Sequence, residues 1–437
     1  VVYEICEVGA NPINCKQATA TILVENQLVA VADDFTGTPL TSGDATPSVV
    51  SFATGVDTLD GAPVVIGTNP GQVTLTGVTV PTQLTLDTAT GIITVNANTP
   101  SGTYTLVYEI CEVGAVPANC DTATVTILVE NEIIATDDTF TTTPLTSNDT
   151  TPSVVLNDSL DGVTPVVIGT NPGEVTLTGV TVPSQLTLDT ATGIITVNAN
   201  TPSGTYTLVY EICEVGAVPA NCDTATVTIL VENEIIATDD TFTTTPLTSN
   251  DTTPSVVLND SLDGVTPVVI GTNPGEVTLT GVTVPSQLTL DTATGIITVN
   301  ANTPSGTYTL VYEICEVGAV PANCDTSTVT VVVSNPLVAS NDTLPRTGGN
   351  VLGNDTVNGE PATVANTNVT PSSNGPLSID ADGNVTVAPN TPSGTYTLMY
   401  EICEAGATPT NCTTATVTIV ITNPLVASND TLPRTGG

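Results

Sequence analysis

The sequence predicts an all-β chain: a tandem array of small antiparallel sandwich domains forming an elongated rod. Three observations carry this reading. Thr, Val, Ile and Leu dominate, with 32 Pro and 35 Gly spread through the chain as turn punctuation. No stretch sustains an apolar period of 3.6, so almost no helix is expected. One stretch, Ser203 to Cys222 (SGTYTLVYEICEVGAVPANC), recurs five times with filler of nearly constant length between copies.

Cysteines mark the copies: Cys6/Cys15, Cys111/Cys120, Cys213/Cys222, Cys315/Cys324 and Cys403/Cys412, each pair spaced C-x8-C. Successive pairs start 105, 102, 102 and 88 residues apart. A solenoid unit runs to about 50 residues, so this period suits one independent domain per repeat. Short polar hinges end the repeats at Glu25-Asn26, Glu130-Asn131, Glu232-Asn233, Ser334-Asn335 and Thr422-Asn423. The expected domains are 27–131, 132–233, 234–335 and a shorter 336–423. Residues 1–26 read as the end of a repeat and 424–437 as the start of another, so the chain reads as a window on a longer protein.

Each element follows from its pattern. Tyr206, Leu208, Tyr210 and Ile212 alternate with Thr207, Val209, Glu211 and Cys213. Ala225, Val227, Ile229 and Val231 alternate with Thr224, Thr226 and Thr228. Two period-2 runs joined by a loop with Gly, Pro and Asn make a long hairpin. Its cysteines close the loop, where cross-strand neighbours come within disulfide reach. Zinc needs four ligands, and the chain has no His; redox motifs are tighter than C-x8-C. Structural disulfides are therefore expected, and with them an oxidising compartment.

In 132–233, strands are expected at 133–139, 152–156, 165–169, 174–182, 185–188 and 194–198. Turns are expected at 142–151, 157–162 and 189–193. Seven or so short strands in about 100 residues point to an immunoglobulin-like sandwich.

Three basic residues (Lys16, Arg346, Arg434) face 44 acidic ones, for a net charge of -41. Nucleic acid and anionic membrane both need a basic face, so neither is a direct partner. Two readings of the charge stand: repulsion that keeps many sheet edges from aggregating, and a cation-binding extracellular surface. There is no apolar run long enough to span a membrane and no secretory leader in this window.

The runs SGTYTLVYEIC…NCDTATVTI and SNDTLPRTGGNVLGNDTVNG resemble the immunoglobulin- or cadherin-like repeats of giant surface proteins in gliding Bacteroidota, the SprB-type gliding-motility adhesins. The resemblance covers essentially the whole chain. It implies type IX secretion and display as a filament attached to the outer membrane. It also implies other surface or motility proteins as partners, and contact with an external surface or polysaccharide through regions outside this window. Asp-Ser/Thr-apolar triplets are similar to the O-glycosylation signal of that group, which makes Ser159, Thr190, Thr224, Ser261, Thr292 and Thr356 candidate glycan sites. Thr-rich turns also generate such triplets by chance.

The candidate metal ligands are Asp137, Asp138, Asp158 and Asp161, repeated at Asp239, Asp240, Asp260 and Asp263. Calcium takes six to eight oxygens, and acidic turns at a domain junction would supply them. The spacing is not that of an EF-hand, and Asp and Asn are ordinary turn formers, so both readings stay open. LPRTG, at Leu344–Gly348 and Leu432–Gly436, matches a sortase pattern but sits inside a repeat, where a Pro/Gly turn explains it. No enzyme is expected: without His, a usable Lys or an unpaired Cys, the usual nucleophile–base pairs cannot be assembled. The expected function is a structural stalk of a cell-surface adhesin, its partners the other repeats of the same chain. The alternative makes the repeats themselves multivalent binding modules for glycans or other subunits.

Overall fold

The structure, a computed structural model, describes residues 1–53, 55–429 and 431. The chain packs as two compact units. One holds residues 1–144, 148–198 and 206–229; the other holds 145–147, 199–205 and 230 onward.

In the first unit, the strands between Leu28 and Val129 are built on one four-stranded sheet. Its order is Asp33–Leu40, Cys120–Val129, Gly102–Glu112, Val73–Thr79. A short hairpin of Leu84–Leu86 and Ile93–Val95, bridged to Ala45, covers the other side of the core. The second unit repeats this plan twice. Its sheets run Asp240–Leu247, Cys324–Val333, Gly306–Glu316, Val277–Thr283, and then Asp342–Leu344, Cys412–Ile421, Gly394–Glu404, Thr367–Val369. Opposite them lie Thr252–Ser255, Ile296–Val299, Leu288–Leu290 and, in the last repeat, Gly349–Asn350, Asn384–Val387, Leu377–Ile379, Ser372–Asn374. The chain is all-β, in tandem immunoglobulin-like sandwiches.

The hairpin supplies the largest single share of each core. Leu310, Tyr312 and Ile314 alternate inward from one strand and Val329, Val331 and Val333 from its neighbour, all at most 2% exposed. Val311, Glu313, Thr330 and Val332 at the intervening positions lie on the other face and are only half-buried, as the period of two demands. In the first complete repeat, Phe35 packs on Phe52 at 4.5 Å between ring centroids, adding aromatic volume to a core made mostly of Val, Ile and Leu. A tyrosine at the start of the long strand ties it to the preceding backbone: the Tyr104 hydroxyl donates to the Pro100 carbonyl at 2.8 Å, and Tyr308 to Pro304 at 2.8 Å. The tyrosine corner of immunoglobulin-like sandwiches uses the same kind of tie.

The sandwich departs from the expected antiparallel order at one edge. Asp33–Leu40 pairs parallel with Cys120–Val129, and Asp240–Leu247 pairs parallel with Cys324–Val333. The reason is directional. In each repeat this edge strand follows the entry hinge after one two-residue strand, Leu28–Val29 or Ile235–Ile236, and the last strand runs to the next hinge, so side by side they point the same way.

Two expected strands are absent as strands. Residues 152–156 contain a 3-10 turn, Val154–Leu156, that buries Val154 and Val155 together. A period-2 strand cannot send consecutive side chains inward, and a tight turn can. Residues 165–169 make only an isolated bridge, Ile168 to Val175. The expected turn at 142–151 begins later, because the strand Asp138–Leu145 runs into it. Among the described residues no helix is long and apolar enough to cross a membrane.

Candidate junction site

The cysteine hairpin carries the site. Its strands pair in register down to Cys315 opposite Cys324, where the two Cα atoms stand 4.1 Å apart. The structure joins all five expected cysteine pairs as disulfides. Each bond closes the base of a loop at one end of the repeat. The residue after the first cysteine is Glu in every copy, and seven residues later comes Asn: Glu7/Asn14, Glu112/Asn119, Glu214/Asn221, Glu316/Asn323 and Glu404/Asn411.

That glutamate reaches into the hinge of the preceding repeat. Glu214 is 5% exposed. One of its oxygens accepts from Asn131 Nδ2 at 2.6 Å and from the Ser101 amide at 3.2 Å. The other accepts from Ser101 Oγ at 2.7 Å and Asn221 Nδ2 at 2.8 Å. Glu316 repeats all four bonds with Asn233, Ser203 and Asn323, at 2.6, 3.2, 2.7 and 2.8 Å. Glu404 accepts from Asn335 at 2.6 Å, the Ser305 amide at 3.0 Å and Asn411 at 2.8 Å. Glu112 accepts from Asn26 at 2.6 Å and Asn119 at 2.8 Å.

The backbone closes the same seam. Val218 N–H donates to the Ser101 carbonyl and Val320 N–H to the Ser203 carbonyl, each at 2.9 Å. The neighbouring glycine lets these chains meet: a Cβ on Gly102 would lie 3.3 Å from the Val218 carbonyl oxygen. At the far side of the same junction Gly173 has φ +86, and a Cβ there would lie 2.6 Å from Asn98. A side chain at Gly102 would press on that carbonyl, and one at Gly173 is opposed by contact and by conformation alike.

A carboxylate this buried is costly unless its lone pairs are satisfied. Residues 27–335 contain no Lys, Arg or His, so neutral donors do the work. The clamp locks a hinge that reads from sequence as a short polar linker. The sequence signal was present in the repeated Glu-x6-Asn and in the invariant hinge Asn, but a residue pair in one repeat does not reveal its partner about 100 residues away.

The structure separates the eight candidate metal ligands. Asp137 is exposed and accepts from the Thr226 amide at 2.7 Å; Asp239 accepts from the Thr328 amide at 2.9 Å and Ser327 Oγ at 2.7 Å. These two hold strand backbone. Asp161 and Asp263, at φ 51 and 50, sit in turns whose amides donate to Glu132 and Glu234 carbonyls at 2.7 Å. Burial, then the negative charges of Asp44 and Glu214, push the Asp161 carboxyl up from its usual range. Asp138 and Asp158 come together inside the repeat, as do Asp240 and Asp260. The hydroxyl of Tyr210 lies 2.9 and 3.0 Å from the Asp158 oxygens and 3.5 Å from Asp138. Tyr312 lies 2.9 and 3.0 Å from Asp260. Burial first, then the neighbouring aspartate, raises Asp138 and Asp240 to about 7.

The sequence also hid two equivalents of this pair: Asp33 with Asp57, and Asp342 with Asp355. Glu211 and its counterparts lie beside the disulfides, whose sulfurs are bonded to each other and are not thiolate ligands. Of the candidate glycan sites, Thr190, Thr224 and Thr292 are exposed, while Ser159, Ser261 and Thr356 are half-buried. The first LPRTG forms a turn in which the Gly348 amide donates to the Pro345 carbonyl at 2.9 Å; the second lies outside the described residues.

No curated protein matches the chain. Solved structures similar to it include Drosophila N-cadherin EC1-4, with 12% identity over 90% of this chain and 98% of that one, at a TM-score of 0.21. Mouse cadherin-23 EC22-24 has 14% identity over 66% and 98%, at a TM-score of 0.21. The insect immune protein hemolin has 12% identity over 89% and 99%, at a TM-score of 0.24. Residues 330–420, the last complete repeat with the end of the hairpin before it, match the family model of a bacterial Ig domain.

Proposed function

We propose that the chain is a stalk segment of a secreted cell-surface adhesin, holding an adhesive region away from the cell. The observation that carries this reading is the buried glutamate clamp at the hinges Asn131, Asn233 and Asn335. A flexible tether needs no such bond, whereas a spacer that transmits load does. The disulfide supports the same role, since it prevents the loop that bears the glutamate from drawing out. Disulfides persist in oxidising, extracellular settings, and many cell-surface domains share this sandwich architecture. Gliding motility, type IX secretion, glycosylation and outer-membrane attachment are the finer version of this reading, supported by the resemblance of the repeats.

Replacing the repeats by an unrelated rigid spacer of equal length tests the assignment. A stalk predicts that adhesion of the producing cell survives the exchange. Loss of adhesion with length preserved would transfer the function to the repeats as binding modules.

A further inference from the structure

Each complete repeat gathers two carboxylates around one buried tyrosine hydroxyl: Asp57, Asp158, Asp260 and Asp355 are buried with Asp33 and Asp342, while Asp138 and Asp240 are half-buried. In the first, Asp33, Asp57 and Tyr108 are 2%, 0% and 0% exposed. The Tyr108 oxygen lies 2.9 and 3.0 Å from the two Asp57 oxygens and 3.2 Å from the Val31 carbonyl. A single hydroxyl proton cannot serve three acceptors. The remaining donor at Asp57 is the Val31 amide, at 2.8 Å. Asp33 faces this group with both carboxylate oxygens buried and without a hydrogen-bond partner among the described residues.

The arrangement recurs. Around Tyr210 stand Asp158, Asp138, the Thr136 carbonyl at 3.3 Å and the Val154 carbonyl at 3.2 Å. Around Tyr312 stand Asp260, the Thr238 and Val256 carbonyls at 3.3 Å, and beside them Asp240, one of whose oxygens is buried and unpartnered among the described residues. Tyr400 lies 2.9 Å from Asp342, 3.2 and 3.4 Å from Asp355 and 3.0 Å from the Ser340 carbonyl.

Such a cage is all oxygen, rich in acceptors and doubly acidic. Isolated buried charges of one sign are among the most unfavourable groups in a fold. Residues 27–335 offer no cationic side chain to offset them. Two carboxylates with main-chain carbonyls form a hard-ligand set, which suits a cation that tolerates irregular oxygen geometry. The octahedral demand of magnesium fits it less well. We propose that each repeat binds one calcium-type cation between its paired aspartates: Asp33/Asp57, Asp138/Asp158, Asp240/Asp260 and Asp342/Asp355. The site lies inside the repeat, separate from the glutamate clamp, and does not rest on the stalk reading.

Terbium provides the test, because a tyrosine borders every site and the chain has no Trp. In the full chain, exciting tyrosine should give terbium emission that saturates near four ions, persists at about 0.15 M salt and is displaced by calcium. Exposed acids are screened at that ionic strength and buried ones much less. Asp57→Asn should remove about one quarter of the saturating emission, with the other three repeats serving as internal controls. Exposed Asp34→Asn should leave it unchanged. Calcium should also raise the melting temperature of the unsubstituted chain, a readout independent of any variant's folding. Emission that Asp57→Asn and Asp34→Asn reduce alike would overturn the proposal. So would a melting temperature indifferent to calcium.

Discussion

Tyr108, Tyr210, Tyr312 and Tyr400 are the largest wholly buried side chains, and each spends its only proton in a cluster of acceptors. Tyr210→Phe removes a hydrogen bond to a charged group and should cost about 1.5–3 kcal/mol, read from denaturant unfolding. Burial raises Asp33 and Asp138 to about 7, and Asp57 to about 6, against an ordinary 3.8. Neighbouring aspartates add to this: Asp57 to Asp33, Asp158 to Asp138 and Asp121 to Asp57. The folded state therefore holds these protons more tightly than the unfolded chain. Their stabilisation is complete below about 4 and is lost as pH rises through about 7. In chelator, the melting temperature should fall between pH 5 and 8; a flat or rising profile would contradict the burial. Added calcium should flatten that fall, because the cation takes the place of the proton. Exposed Asp34, Asp87 and Asp189, lowered by hydrogen bonds from Thr36, Thr90 and Thr192, act with the opposite sign, losing their contribution only as pH drops below the usual carboxylate range.

The unit of construction at the next scale is the disulfide hairpin with its loop. It builds the core with one face and delivers Glu316 to the neighbouring hinge with its tip. The double change Cys315→Ser, Cys324→Ser should lower stability by about 2.5–3 kcal/mol on the chain-entropy account of a ten-residue loop. It should also speed hydrogen exchange at Val320, whose amide crosses to Ser203. Glu316→Ala leaves Asn233, Ser203 and Asn323 without their shared acceptor, a cost of about 2–3 kcal/mol. Protection should fall at that seam while the core amides of Tyr312 and Ile314 hold theirs. Equal loss in both places would mean that the glutamate supports the repeat and not the junction. The hairpin was legible in the sequence because its signal is local: alternation, turn residues and paired cysteines within about 25 residues. The 3-10 turn at Val154–Leu156 was not legible, since its apolar run satisfies a buried strand and a tight turn alike.

For the whole molecule, the stalk reading makes a prediction about scattering. Four repeats with strands of about ten residues at ~3.3 Å should span roughly 150 Å. The glutamate clamps lie at the junctions, and the proposed cation sites lie inside the repeats. Chelation should therefore change the melting temperature more than the maximum dimension from small-angle scattering. The triple variant Glu214→Ala, Glu316→Ala, Glu404→Ala should broaden that dimension at constant calcium. If chelation alone shortens that dimension, cations and not clamps stiffen the junctions.

By itself the sequence determined the all-β class, the repeat, its hinges and the pairing of ten cysteines, because each rests on periodicity or on neighbours close along the chain. It also placed acidic residues in the right turns without resolving which of them meet. That was decided by tertiary structure. Asp33 finds Asp57 and Tyr108 only when three separate segments converge, and Glu214 finds Asn131 only when one repeat lands on the next. The parallel edge of the sheet is of the same kind: it follows from the direction in which two distant strands cross the domain. Contacts between residues about 25 to 100 positions apart leave no mark in a single sequence, however regular its repeats.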